Sequence, residues 1–292
     1  MLLPKKFRVL LAALALIAAA CSGSETDQNA AACGVVETSD DASSGESSEI
    51  NGGKPIIEIP GGEAPSELVI DDLIPCDGAT AESGDLLVMH YVGVLHEDGS
   101  EFDSSWDRGD TFSFVLGQGR VIQGWDEGIV GMTEGSRRQL TIPAAQAYGD
   151  NGAGAAIPPG ASLIFVVDLV NAYSPHDVDL AVDNTDTLEV TELESGDGEE
   201  LAEGDIVEVL FSIATESAGG VVQSSWTDGQ TGRFVIGAES EQIFPGWGET
   251  LVGQNVGDVL RVVVPPESGP TPDGGEALIT QLTVLGVLGS GQ

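Results

Sequence analysis

Aromatic side chains are the residues best able to form a site in this 292-residue chain. Nine of them fall between residues 68 and 173: Tyr91, Phe102, Trp106, Phe112, Phe114, Trp125, Tyr148, Phe165 and Tyr173. Alone, such a set describes a hydrophobic core as readily as a ligand cleft, and residue type leaves the choice open. Other chemistries find less support. His90, His96 and His176 have no Cys or Asp at ligand spacing, and there is no CxxC, so no metal is implied. Gly117-Gln118-Gly119 lacks the further glycine of a phosphate loop and reads as a turn. Asp107 and Asp150 offer at most a loose cation contact. Cys21, Cys33 and Cys76 are the only thiols.

The elements that must position these residues come in two copies. Gly84-Asp85 recurs as Gly204-Asp205, and Ser104-Ser105-Trp106 as Ser224-Ser225-Trp226, both at an offset of 120. Gly124-Trp125 recurs as Gly246-Trp247, and Ser162-Leu163-Ile164 as Ala277-Leu278-Ile279. Two homologous domains are expected, 68–173 and 187–292, joined by the polar link 174–186. In the first copy Leu87, Met89 and Tyr91 alternate onto one strand face, which puts His90 on the opposite, exposed face. Phe112, Phe114 and Leu116 alternate likewise, as do Leu163, Phe165, Val167 and Leu169. Ile122, Trp125 and Ile129 fall at helical spacing, with Gly131 as a stop. The expected fold is α+β, an antiparallel sheet curved around one short helix in each domain.

The N-terminus has another purpose. Lys5, Lys6 and Arg8 precede twelve apolar residues, Val9 to Ala20, a run too short to span a bilayer but suited to a secretion signal. Ala18-Ala19-Ala20 followed by Cys21 resembles a bacterial lipobox, which would make Cys21 a lipidated N-terminus anchored to a membrane outside the cytoplasm. The plainer alternative is an ordinary signal cleaved at the same bond. Residues 21–67 lack aromatics and are rich in Ser, Gly and acids, the composition of a disordered tether. Cys33 and Cys76 either pair in an oxidising compartment or stay free.

The segments around the aromatics resolve the opening ambiguity. VMHYVG (88–93), FDSSWDRG (102–109), FSFVLG (112–117), VIQGWDEG (121–128), GMTEGSRRQLTIP (131–143), AYG (147–149) and AIPPGASLIFVVDL (156–169) occur in this order. Together they resemble the FKBP family of peptidyl-prolyl cis-trans isomerases over essentially all of 68–173. The resemblance implies a hydrophobic cleft between sheet and helix. Tyr91, Asp103, Tyr148 and Phe165 would be its catalytic residues. Phe102, Arg108, Phe112, Val121, Ile122 and Ile157 would hold substrate, and Trp125 would form the floor. Asp103 is either a direct participant or half of a structural ion pair with Arg108. The family works without cofactor or metal, takes proline-containing polypeptides and is inhibited by macrolides. Gly152-Ala153-Gly154 stands where many members carry a histidine, a departure that bears on substrate preference.

Copy two departs where the cleft should be: Val222 stands for Phe102, Gln223 for Asp103, Asp228 for Arg108, Gly232 for Phe112 and Thr280 for Phe165. The same fold without appreciable activity is expected there. A non-catalytic module gripping proline-containing or hydrophobic segments is the competing function. The formal charge of −38 argues against nucleic acid, a polyanion that needs Lys and Arg.

Overall fold

Alternating apolar residues make Leu86–Leu95 the central strand, β2, of the first domain. The computed structural model describes residues 52–181, 187–237, 246–266 and 275–290. The expected signal 1–20, Cys21, Cys33 and residues 182–186 lie outside the described residues. Strand β6 (Leu163–Tyr173) pairs along the full length of β2. The other edge of β2 is shared by β4 (Phe112–Val115) near its start and β3 (Glu101–Ser104) near its end. Beyond β6 lie β5 (Arg137–Ile142) and β1 (Val69–Ile74), all antiparallel. Two short helices complete the domain, α1 (Ser105–Arg108) and α2 (Gln123–Gly128).

The handover from β3 to β4 leaves Tyr91 without a strand partner on that side. Ser105 fills the gap. Its hydroxyl accepts from the Tyr91 N–H at 2.8 Å and donates to the Tyr91 carbonyl at 3.3 Å. A buried backbone pair that would otherwise be unsatisfied is thereby closed. Ser225 repeats the device on Phe211 at 3.1 Å, which explains the Ser-Ser-Trp recurrence.

The second domain repeats the architecture with β7 (Glu189–Glu194), β8 (Asp205–Thr215), β9 (Gly220–Ser224), β10 (Gly232–Val235), β11 (Val259–Val264) and β12 (Leu278–Ser290). Helices α3 (Ser225–Asp228) and α4 (Trp247–Leu251) correspond to α1 and α2. Each domain is thus a six-stranded antiparallel sheet with short helices, as the α+β reading expected. The domains touch. Leu86 and Val115 share a buried cluster with Leu210 and Trp226, and the Trp226 indole N–H donates to the Tyr173 carbonyl at 2.8 Å.

Two expectations are corrected. His90 is buried, with its ring stacked on Trp106 at 4.1 Å between centroids, because the outer face of the sheet is covered rather than solvated. Part of that cover is the end of the supposed tether. Ile57 packs beside Trp106 against Val92, Val94 and Ile164. Lys54 pairs with Glu101 at 2.9 Å and Asp107 at 2.8 Å, and the Gly53 carbonyl accepts from Arg137 at 2.8 Å. The stretch from residue 53 to 57 is therefore docked on the first domain, and Asp107 is already neutralised. Cys76 is disulfide-bonded.

Candidate active site

The cleft is built up from α2, which both ends hold in place. Arg138, buried and paired with Asp72 at 2.6 Å, donates to the Gly128 carbonyl at 2.8 Å at the end of the helix. The Asp126 carboxylate accepts from the N–H groups of Gly117 and Gly119 at 2.9 and 2.8 Å. The Gly-Gln-Gly turn thus spends its donors inside the protein.

Trp125, carried by this helix, is the hub of a ring cluster. Phe165 and Tyr91 stand edge-on to it at 5.1 and 5.3 Å between centroids, and Phe112 at 6.0 Å. Phe102 meets Phe165 edge-on at 5.5 Å. Edge-to-face contacts are the arrangement that ring quadrupoles favour. Gly93 lets the two phenylalanines approach the sheet, since a Cβ there would lie 2.7 Å from each ring.

The rings enclose a cavity of about 260 Å³ lined by Tyr91, Phe102, Asp103, Phe112, Arg120, Val121, Ile122, Trp125, Tyr148 and Phe165. Nine residues expected at the site are among them. Arg108 stands behind the rim, where it pairs with Asp103 and donates to the Tyr91 hydroxyl at 2.9 Å. Ile157 does not line the cavity; its side chain is drawn into the core, in a loop closed by hydrogen bonds with Ala153.

The rim is a closed polar triad. The Tyr91 hydroxyl donates to Asp103 Oδ2 at 2.5 Å, and the Arg108 guanidinium lies 5.4 Å from the Tyr91 ring centroid. Burial, reinforced by the Asp103 hydrogen bond, raises the Tyr91 pKa and keeps the phenol neutral. Tyr148 differs from Tyr91 in being 40% exposed at the mouth.

Sequence reasoning missed Arg120. It lines the cavity, yet its guanidinium donates to the Thr227 and Asp228 carbonyls of the second domain at 2.5 and 3.3 Å. Its only signal was its place, immediately before Val121-Ile122, in a chain poor in basic residues.

The family model described as FKBP-type peptidyl-prolyl cis-trans isomerase matches residues 78–170 and again 198–280. The chain belongs to that family. It is similar to the FK506-binding protein of Streptomyces anulatus, 53% identical over 118 residues, covering 40% of this chain and 95% of that protein. A probable FK506-binding protein of Corynebacterium glutamicum is 53% identical over 119 residues, 41% of this chain and 98% of that protein. The peptidyl-prolyl cis-trans isomerase FKBP10 of Mus musculus is 35% identical over 185 residues, 63% of this chain and 30% of that protein. This FKBP-type chain is a peptidyl-prolyl cis-trans isomerase.

The second FKBP-type repeat keeps the floor but not the walls. Trp247 is buried and lies 5.6 Å from Phe211, as Trp125 lies beside Tyr91. Ile213, buried in the core, occupies the strand position of Gly93. Val222, in the place of Phe102, is 53% exposed and walls nothing. Ile243 and Phe244, which precede Trp247 in the chain, lie outside the described residues.

Proposed function

We propose that isomerisation takes place in the ring-lined cavity of the first domain, on proline-containing polypeptides, and that macrolides such as FK506 compete for the same cavity. The observation that carries this reading is the ring-lined cavity above Trp125, whose Phe102 and Phe165 walls close over Gly93, where the second copy has Ile213 instead.

Amide resonance holds the X-Pro bond with a barrier of about 18–20 kcal/mol, and uncatalysed exchange takes tens of seconds. In the twisted transition state that resonance is lost, and with it much of the charge separation across the C–N bond. An apolar cavity binds this less polar form better than the planar amide, which water stabilises. Every ~1.4 kcal/mol of such preference contributes about tenfold in rate. No nucleophile or proton-transfer base enters the step. Tyr148 is placed to donate to the peptide carbonyl, and the Tyr91–Asp103–Arg108 triad sets the polarity of the rim. In the full chain, Phe165→Thr is expected to abolish isomerisation of a tetrapeptide, with Tyr148→Phe and Asp103→Ala reducing it. Unchanged turnover in Phe165→Thr would place the activity elsewhere.

The chain acts outside the cytoplasm, held to a membrane by a lipid on Cys21 and assisting the folding of secreted proteins. Support comes from the basic-apolar leader that ends at Cys21 and from the disulfide at Cys76, a bond that persists in oxidising compartments. Fatty-acid labelling in a bacterial host tests it. The wild type should take label and Cys21→Ser should not, whereas an unlabelled wild type would refute the anchor.

A further inference from the structure

We propose that the groove between the two domains is an extended subsite, which takes the polypeptide flanking the prolyl bond as an added strand. The proposal rests on the first-domain cleft being the site of turnover. The groove has a volume of about 610 Å³. One wall is Asp110 to Ser113, leading into β4, and the other is Gly229, Gln230, Thr231 and Arg233, leading into β10. Among the described residues β4 pairs only with β2, and β10 only with β8. Each therefore turns a row of backbone N–H and C=O groups away from its sheet, which is what an extended peptide needs for strand addition.

Groove and cleft adjoin at one ring. Phe112 lines both, so a chain leaving the cleft past this ring arrives on the edge of β4. Arg120 fixes the relation by gripping the Thr227 and Asp228 carbonyls from the cleft rim. Gly229 makes room for it, since a Cβ there would lie 2.9 Å from Arg120 Nη1. Inside the groove Glu208 is satisfied by Arg233 at 2.8 Å and Thr231 at 2.5 Å. Asp110 leaves a carboxylate on the wall. The flanking segment that fits is uncharged or basic, not acidic. The second domain thereby has a use that requires no cleft of its own.

The test compares a tetrapeptide with a peptide extended by about four residues on each side of the same X-Pro bond, enough at strand spacing to cross the groove. In the full chain, Gln230→Trp fills the groove from an exposed position. It should lower kcat/KM for the long peptide by about tenfold, the loss of one or two net hydrogen bonds, and leave the tetrapeptide unchanged. Asp110→Arg should reverse a preference for basic over acidic flanks. An unchanged ratio of long to short peptide in Gln230→Trp overturns the proposal. If tetrapeptide turnover survives Phe165→Thr, the cleft assignment fails first, and the groove falls with it.

Discussion

Gly93→Ala is the smallest change that should damage the cleft. The residue lies in ordinary strand backbone within β2, so alanine introduces no strain of its own. Its Cβ, however, would sit 2.7 Å from Phe102 Cζ and 2.7 Å from Phe165 Cε1. Carbon atoms pack at about 3.5–4.0 Å, so each ring must retreat by roughly 1 Å. Neither can do so freely. Phe165 is buried and held edge-on to Trp125 at 5.1 Å, and Phe102 is held edge-on to Phe165. Overpacking of this kind costs about 1–3 kcal/mol, and a domain of about 100 residues loses roughly 4–8 °C in Tm per kcal/mol. Catalysis should suffer more than folding, because a 1 Å misplacement of positioning groups can cost about 10²-fold. Protease-coupled isomerisation of a tetrapeptide, beside a thermal melt of the full chain, measures both. Ile213→Val in the second domain is the control, expected to cost about 0.5–1.5 kcal/mol with no change in turnover. If Gly93→Ala matched the wild type in kcat/KM and Tm, the claim that Gly93 shapes the cleft would be refuted.

Ser105→Ala removes the hydroxyl that serves both backbone groups of Tyr91, and should cost about 1–3 kcal/mol in denaturant unfolding, with reduced turnover as Tyr91 shifts. Asp168→Asn strips the fully buried partner from Arg137, bonded at 2.7 and 3.1 Å, and should destabilise the full chain by about 3–5 kcal/mol. His176 packs on Trp226 and bonds Thr283 Oγ1 at 2.9 Å, and burial lowers its pKa from 6.5 to about 4. The folded state therefore disfavours its protonation. Its contribution is intact above pH 6.5 and is lost as the pH falls towards 4, by about 3 kcal/mol at most. His176→Gln should flatten that part of the stability–pH curve, and an unaltered slope would show that the buried imidazole does not titrate there.

Period-two alternation made the core legible, because Leu87, Met89 and Tyr91 must share one face whatever lies on the other. It could not say what covers that other face. His90 looked exposed for this reason, and the contact of Ile57 with Trp106's neighbourhood was hidden in a segment whose composition reads as tether. Spaced motifs brought nine cleft residues together, since each motif fixes a local backbone geometry. Arg120 escaped because its partners are carbonyls more than a hundred residues away, which no side-chain pattern records. The basic residues as a group show the same limit. Beyond residue 20 there are seven, Lys54, Arg108, Arg120, Arg137, Arg138, Arg233 and Arg261, against 48 acids. All seven are committed to carboxylates or carbonyls within the chain. The composition argued against a polyanion from the count alone, and the contacts argue it again from the absence of a spare cation among the described residues.

The two repeats separate what the fold requires from what the cleft requires. Features common to both close backbone: the Asp85 and Asp205 carboxylates each accept from a backbone N–H at 2.8 Å, and Ser105 and Ser225 each serve the strand beside them. Features that differ are satisfied locally in each. Where the first copy has the Asp103–Arg108 ion pair, Gln223 donates to Asp228 at 3.1 Å. Where it has Phe165, the buried Thr280 hydroxyl donates to the Val262 carbonyl at 3.2 Å. The second sheet forms with neither the rings nor the ion pair. A six-stranded sheet of this kind therefore does not need Phe102, Phe112 and Phe165 for its own integrity, and the proposed prolyl site gives a reason for the first copy to arrange them around an open cavity.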